Sequence, residues 1–216
     1  MRIGAVDMAE PVPMTRGAVD FDRVYLDADG DASRIPWTRG GPDPGLIAWL
    51  DGEGSARLRA GCRAIVPGCG LGDDARELLR RGFDTTAFDF SGEAIGWAKR
   101  LDPAIADRFA EADLFSPDPA WLRRFDLVAD CFCLQSMPAA RHEAAMAALS
   151  NLLAPRGVLV VCGHCGEKPA AEVEGPPWPV MPAELVALAE GAGLTSLGPV
   201  ATGIAGGRLR GVFARA

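Results

Sequence analysis

Three features are missing from this sequence, and each absence excludes a class of function. There is no excess of positive charge: Lys and Arg total 22 against 29 Asp and Glu, a formal net charge of −7. That balance repels phosphate backbones and anionic lipid surfaces, so neither a nucleic acid nor a membrane is an expected partner. There is no long hydrophobic run, since the longest, Gly157 to Gly163, is one strand long against the roughly 18 apolar residues of a membrane span. There is no export signal either, because Met1 to Met14 mix Arg2, Asp7, Glu10 and two prolines without the apolar run of roughly 7–15 residues that a signal peptide carries. A cytoplasmic protein is the expectation, and its six cysteines are read as thiols before disulfides. Internal repeats are absent as well.

What is present reads as one compact domain. The chain has 216 residues, of which 49% are hydrophobic and 24% charged, close to ordinary globular usage. Short apolar runs alternate with amphipathic segments, the pattern of a parallel sheet flanked by helices. Seven strands are predicted: 63–66, 84–89, 109–114, 125–132, 157–162, and a closing pair at 197–202 and 208–214. Helices are expected over 73–81, from Gly92, over 140–153, and from Pro182 to about Ala189. The closing pair, joined by Gly203 to Gly207, predicts an antiparallel C-terminal hairpin on an otherwise parallel sheet. Two long loops, 29–45 and 163–181, are expected to cover a binding site. The organisation expected is an N-terminal covering segment, 1–45, on a catalytic domain, 46–216.

The strongest local signal is Val66-Pro67-Gly68-Cys69-Gly70-Leu71-Gly72-Asp73-Asp74, which follows a strand and opens a helix. Glycines there let the backbone turn sharply and approach a ligand closely. The spacing is G-x-G-x-G, and Asp73 stands where a dinucleotide's pyrophosphate would need a neutral helix start, so a dinucleotide is disfavoured. By itself the turn is equally a tight strand-to-helix connection. Asp89, 21 residues after Gly68 at the end of the second strand, can accept hydrogen bonds from both ribose hydroxyls of a nucleoside, or can cap the next helix. Asp113 and Leu114 end the third strand, where a carboxylate can take an adenine amino group and an apolar side chain can pack on the ring. Three such features at successive strand ends converge on one crevice.

With these residues in this order, the chain resembles the class I S-adenosylmethionine-dependent methyltransferases from about Ile35 onward. Val66-Pro67-Gly68-Cys69-Gly70 resembles the thiopurine and thiol S-methyltransferase branch, as do Ile35-Pro36-Trp37-Thr38-Arg39-Gly40-Gly41-Pro42 and Glu174-Gly175-Pro176-Pro177-Trp178. The resemblance implies a Rossmann-like methyltransferase fold. It implies S-adenosylmethionine as cofactor, S-adenosylhomocysteine as product, and a small-molecule acceptor that is a thiol or another soft nucleophile. Gly68, Cys69, Gly70 and Gly72 would line the methionine part, Asp89 would bind the ribose, and Asp113 and Leu114 the adenine, with Phe90 and Ser91 also at the cofactor. Asp130 and Cys131 would lie near the methionine moiety or the sulfonium, with Trp37 over it, where an aromatic face attracts a cation by about 0.5–2 kcal/mol; a buried anchor for the N-terminal segment is the plain alternative for Trp37.

Methyl transfer from a sulfonium is an in-line displacement, so positioning in a dry pocket supplies most of the rate. A thiol acceptor needs only a nearby cation to become a thiolate. Arg141 falls where the resembled branch carries an arginine at its substrate pocket, and it is the first candidate for that cation; an exposed charge in a first helical turn is the plain alternative. His142 beside it would point about 100° around the helix. The strand-end cysteines read mainly as small buried hydrophobes, with Cys131 and Cys165 the candidates for a reactive thiol. A zinc site is disfavoured, because only Cys162 and Cys165 have C-x-x-C spacing. Oxygen or nitrogen methylation of a small metabolite remains open, as does a non-catalytic nucleoside or soft-metal binding module. Acceptor specificity is expected to reside in 1–34 and 163–181.

Overall fold

The structure, a computed structural model, describes residues 19–215. Residues 1–18 of the expected covering segment, and of the expected specificity region, lie outside the described residues. Four apolar runs form a parallel core: β1 (Arg63–Pro67), β2 (Asp84–Asp89), β4 (Phe125–Cys131) and β5 (Leu153–His164), with the short β3 (Phe109–Glu111) beside β2. Such runs are near-continuously apolar because helices cover both faces of a parallel sheet. The sheet closes with β6 (Leu194–Ser196), β7 (Ala201–Ile204) and β8 (Arg208–Arg215), giving the order β3-β2-β1-β4-β5-β8-β6 with β7 also on β8. β8 runs antiparallel to its neighbours. This is the Rossmann-like methyltransferase sheet with its antiparallel C-terminal strands.

One face is covered by α2 (Pro44–Asp51), α4 (Asp73–Arg80) and α5 (Gly92–Leu101), which bury Trp49, Leu78 and Ile95 against Val66, Leu127 and Val160. The other is covered by α6 (His142–Leu152) and α7 (Pro182–Gly191), which bury Met146, Leu149 and Leu185 against Ile65, Val128 and Val161. A smaller cluster docks α1 (Phe21–Ala28) on α5 through Tyr25, Ala28, Leu71 and Trp97. A short α3 (Glu53–Arg57) links α2 to β1. Among the described residues, no helix is long and apolar enough to cross a membrane.

The departures from the sequence expectation have local causes. The single strand expected at 197–202 is two, β6 and β7, with Gly198 and Pro199 between them, so the sheet has eight strands rather than seven; Pro199 has no N–H to give a ladder. β3 stops at Glu111 because the Asp113 carboxylate accepts from the Phe115 amide at 2.9 Å and folds the chain into a turn. β5 starts early, at Leu153, across a bulge where Arg156 has φ 64°. α6 begins at His142, after a 3-10 turn over Ala139–Arg141. Two helices, α1 and α2, fall in the N-terminal region where periodicity marks none. Both start at an aspartate cap: Asp20 accepts from the Arg23 amide at 3.0 Å, and Asp43 accepts from the Gly45 amide at 2.7 Å.

Candidate functional site

β1 has β2 on one side and β4 on the other. The crevice beyond the strand ends is therefore at the reversal of strand order, where open α/β sheets bind ligands. Gly68, Gly70 and Gly72 all take left-handed φ, at 60°, 51° and 88°, a conformation that side chains resist. Their surroundings differ. A Cβ on Gly68 would lie 2.8 Å from the Cβ of Cys133, and one on Gly72 would lie 2.5 Å from the ring of Phe109. One on Gly70 would lie 3.1 Å from the Tyr25 hydroxyl oxygen. The thiol packed on the turn is thus that of Cys133, while Gly70 faces the N-terminal helix α1.

Asp89 closes this side. Its carboxylate accepts from the Gly70 amide at 2.8 Å and from the Ser91 amide at 2.9 Å. Burial raises its pKa, and the amides of Ser91, Gly70 and Phe90 oppose that rise. Each oxygen keeps a free lone pair for a further donor. Phe90 next to it is 63% exposed, an open apolar face. The Ser91 hydroxyl accepts from the Ala94 amide at 3.1 Å and donates to Asp22, so its side chain caps α5 and ties down α1. Asp113 is exposed at the turn, and Leu114 is buried in the core under α6.

Trp37 does not lie directly on the glycine turn. Its Nε1 donates to the Tyr25 hydroxyl at 3.0 Å, and its ring meets Tyr25 and Phe21 edge-on at 5.8 and 5.4 Å. Burial, and then Asp89, push the Tyr25 pKa upward, so the phenol keeps its proton and its O–H is a donor toward the turn. Tyr25 is the residue against the turn that the sequence does not point to; its only sequence signal is that it is the sole tyrosine.

The end of β4 separates the remaining candidates. Asp130 is fully buried, and its carboxyl accepts from the Leu134 amide at 3.2 Å. Burial raises its pKa to about 7, against those backbone hydrogen bonds. Cys131 points to the opposite face, in register with Cys162. Its pKa is raised by the hydrogen bond to Cys162, then by burial and by Asp74, an environment that keeps a thiol protonated. Arg141 lies with its guanidinium 4.1 Å from the centre of the Phe115 ring, on the Asp113 side of the sheet. The buried His142 ring donates to the Met137 carbonyl at 2.9 Å, and burial lowers its pKa.

Across the end of β5 lies a second group that the sequence does not mark. Gln135 is buried, donates to the His164 carbonyl and accepts from the His164 amide, both at 2.8 Å. Its own carbonyl accepts from the Trp178 amide at 2.8 Å, which pins the 165–181 loop to the strand ends. Asp43, fully buried, accepts from Arg208 Nη1 at 3.0 Å. Its amide donates to Asp74 at 2.6 Å.

The glycine turn, the oriented Asp89 carboxylate, the open Phe90 face and the Tyr25 phenol fit a nucleoside with a polar tail. The space at Gly70 that a Cβ would fill is where such a tail can pass. Residues 67–159 match the family model of a methyltransferase domain, a span that holds the glycine turn, Asp89, Asp113 and Asp130. No curated protein matches the chain significantly. A protein solved in work on the conversion of a disulfide bond into a thioacetal group during echinomycin biosynthesis is 23% identical, with a TM-score of 0.67 over 90% of each chain. A TehB-like SAM-dependent methyltransferase from Corynebacterium glutamicum is 19% identical, with a TM-score of 0.62 over 90% of this chain and 98% of that one. The 1,6-didemethyltoxoflavin-N1-methyltransferase of Burkholderia thailandensis, solved with S-adenosylhomocysteine, is 18% identical, with a TM-score of 0.68 over 95% and 93%. At these identities the likeness is one of fold; the domain match supports a methyltransferase enzyme with S-adenosylmethionine as its methyl donor.

Proposed function

We propose that this chain transfers a methyl group from S-adenosylmethionine to a small molecule whose nucleophile is a thiol or another soft atom. The observation that carries the donor half is Asp89, whose carboxylate is aimed by the amides of Gly70 and Ser91 while both oxygens can still accept. In this reading Asp89 takes the ribose hydroxyls, Phe90 flanks the adenine and Asp113 accepts its amino group, while Leu114, expected on the ring, packs in the core instead. The backbone of Gly68, Cys69, Gly70 and Gly72 follows the methionine part. Tyr25, held by Trp37, covers it from the α1 side. When bound, the donor supplies an electrophilic methyl group on a sulfonium, displaced in line by the acceptor.

The chain's own work is then to orient and to exclude water, which requires no strong base. Asp130, neutral or charged near pH 7, borders the sulfonium side of the crevice. Cys131 serves there as buried packing rather than as a nucleophile. Arg141, stacked on Phe115, is the cation assigned to lower the pKa of an acceptor thiol. Support for a sulfur acceptor comes from the Pro67-Gly68-Cys69-Gly70 turn and from the fold shared with the echinomycin-pathway protein, whose described reaction occurs at sulfur.

Calorimetric titration with S-adenosylmethionine, S-adenosylhomocysteine and NAD tests the donor half. Micromolar binding of the first two and none of NAD is expected, and failure of both to bind sinks the reading. Turnover of matched thiol, phenol and amine acceptors then tests the acceptor half. Preference for the oxygen or nitrogen nucleophile would replace the sulfur reading.

A further inference from the structure

An open cleft of about 520 Å³ lies beyond the ends of β5 and β8, lined by Arg39, Gly41, Pro42, Pro44, Gly206 and Arg208. Register places it: Arg208 opens β8 directly opposite His164, the last residue of β5. It is therefore on the far side of β4 from the Asp89 end of the crevice. Two guanidiniums face it across one aromatic platform. Arg39 and Arg208 lie 5.2 and 5.4 Å from the centre of the Phe132 ring, and the His164 ring meets the same ring edge-on at 5.0 Å. Phe132 holds φ 74°, a costly conformation for a bulky residue that persists only where its surroundings require it. That turn at the end of β4 is what presents the ring to both arginines.

The donors of the two guanidiniums are underused. Arg208 gives Nη1 to Asp43, and its Nε is buried with no partner among the described residues. Arg39 approaches Asp43 and Asp74 only at 3.8 and 3.6 Å, longer than a hydrogen bond. The side chains of Arg39 and Arg208 are 25% and 15% exposed, toward the cleft. Buried donors without partners are rare in folded proteins, and a planar guanidinium fork matches a carboxylate. The facing charges set the ligand's valence. Asp43 pairs with Arg208; Asp74, near Arg39, has its pKa raised by burial, and His164 has its pKa lowered by burial and by both arginines. With Asp43 set against Arg208, the two guanidiniums leave at most one positive charge for a ligand, which suits a monoanion better than a phosphate dianion.

We infer that this cleft is the acceptor's anion subsite, and that Arg39 and Arg208 select small molecules carrying a carboxylate. The inference rests on the methyl-transfer reading for the word acceptor, but the anion subsite can be tested without turnover. Benzoate and its neutral isostere benzamide are titrated into the full-length protein with S-adenosylhomocysteine present, and thiosalicylate is compared with thiophenol as methyl acceptor. The carboxylates are expected to bind and to react about 10–100-fold better than the neutral partners, the range of a charge-assisted hydrogen bond. Arg39→Gln should erase most of that preference, lowering carboxylate binding and kcat/KM about tenfold more than those of the neutral partner. Arg208→Lys, which keeps a cation beside Asp43, should reduce the preference by less.

Equal or absent binding of benzoate and benzamide overturns the inference, as does an unaltered preference in Arg39→Gln with an unchanged melting temperature. Stronger competition by inorganic phosphate than by benzoate would replace the carboxylate with a phosphoryl group and overturn the class named here. The methionine carboxylate of the donor is the other source of this chemistry. A fall in S-adenosylhomocysteine affinity in Arg39→Gln equal to the fall for benzoate would assign the cleft to the donor. Benzoate binding that depends on Arg39 in a protein that binds no S-adenosylmethionine would instead support the subsite while defeating the methyltransferase reading.

Discussion

The two sides of the strand-end crevice are built in opposite ways. The donor side is made of neighbours in sequence: a turn over residues 68–72 and a carboxylate at 89 that is aimed by backbone amides at 70 and 91. The β5–β8 side joins residues 39, 43, 74, 132 and 208, and its central contact, Arg208 with Asp43, spans 165 positions. The first side is built from backbone geometry and one oriented carboxylate. The second is a buried lattice of charges that fastens the segment before α2 to the last strand. In the proposed reading the first would hold the donor through backbone geometry, and the second would answer to the acceptor through long-range side-chain pairs.

The sharpest way to break this contrast is to remove the centre of the charge lattice. Asp43 is fully buried, caps α2 and pairs with Arg208, so Asp43→Ala leaves a guanidinium without its partner. Urea unfolding should show a loss of about 3–5 kcal/mol, the usual cost of orphaning one member of a buried pair. A loss under about 1 kcal/mol would mean that the lattice behaves like a surface ion pair.

Asp130, between the two sides, gives a pH-dependent effect. Its folded pKa of about 7 lies above the ordinary 3.8, so folding favours its neutral form. The stability it contributes is complete below about pH 3.8 and is lost as pH rises through 7. Asp130→Asn keeps an acceptor for the Leu134 amide and removes the titration. Its stability relative to the wild type should therefore improve by about 3 kcal/mol between pH 5 and pH 9. Parallel stability curves for the two proteins would show that the capping amides offset burial.

On the donor side the expected effect is on binding rather than on folding. Asp89→Ala should weaken S-adenosylmethionine by about 1–3 kcal/mol, the cost of removing one partner of buried hydrogen bonds. The heat of titration measures it directly. An unchanged affinity would make Asp89 a structural clasp between the glycine turn and α5, and the two sides would no longer differ in kind.

That division also decides what could be read from sequence. The glycine turn, Asp89 and the closing antiparallel strands were legible because each is written in a few adjacent residues with one local conformation. The third strand, expected over 109–114, ends at Glu111, because the Asx turn at Asp113 competes with the ladder and leaves no mark in periodicity. Tyr25 and Trp37 meet only because α1 docks on α5, and α1 rests on a single cap and one buried stripe. Nothing local in the sequence joins Arg39, Asp43 and Arg208. Their pairing depends on which ends of β5 and β8 face each other, a register that no local pattern specifies.

The smallest effect tests how firmly the donor side is roofed. In Tyr25→Phe the ring stays against Trp97 and Trp37, but the Trp37 Nε1 loses its acceptor and Gly70 loses the hydroxyl above it. Removing one net hydrogen bond lowers stability by about 0.5–1.5 kcal/mol, and unfolding should show a loss in that range. If the phenol O–H also reaches the bound donor, S-adenosylhomocysteine affinity should fall by several-fold beside that modest change, while benzoate binding at the β5–β8 cleft stays as it was. An equal fall at both sites would mean that α1 couples them, and the crevice would then act as one unit despite its two modes of construction.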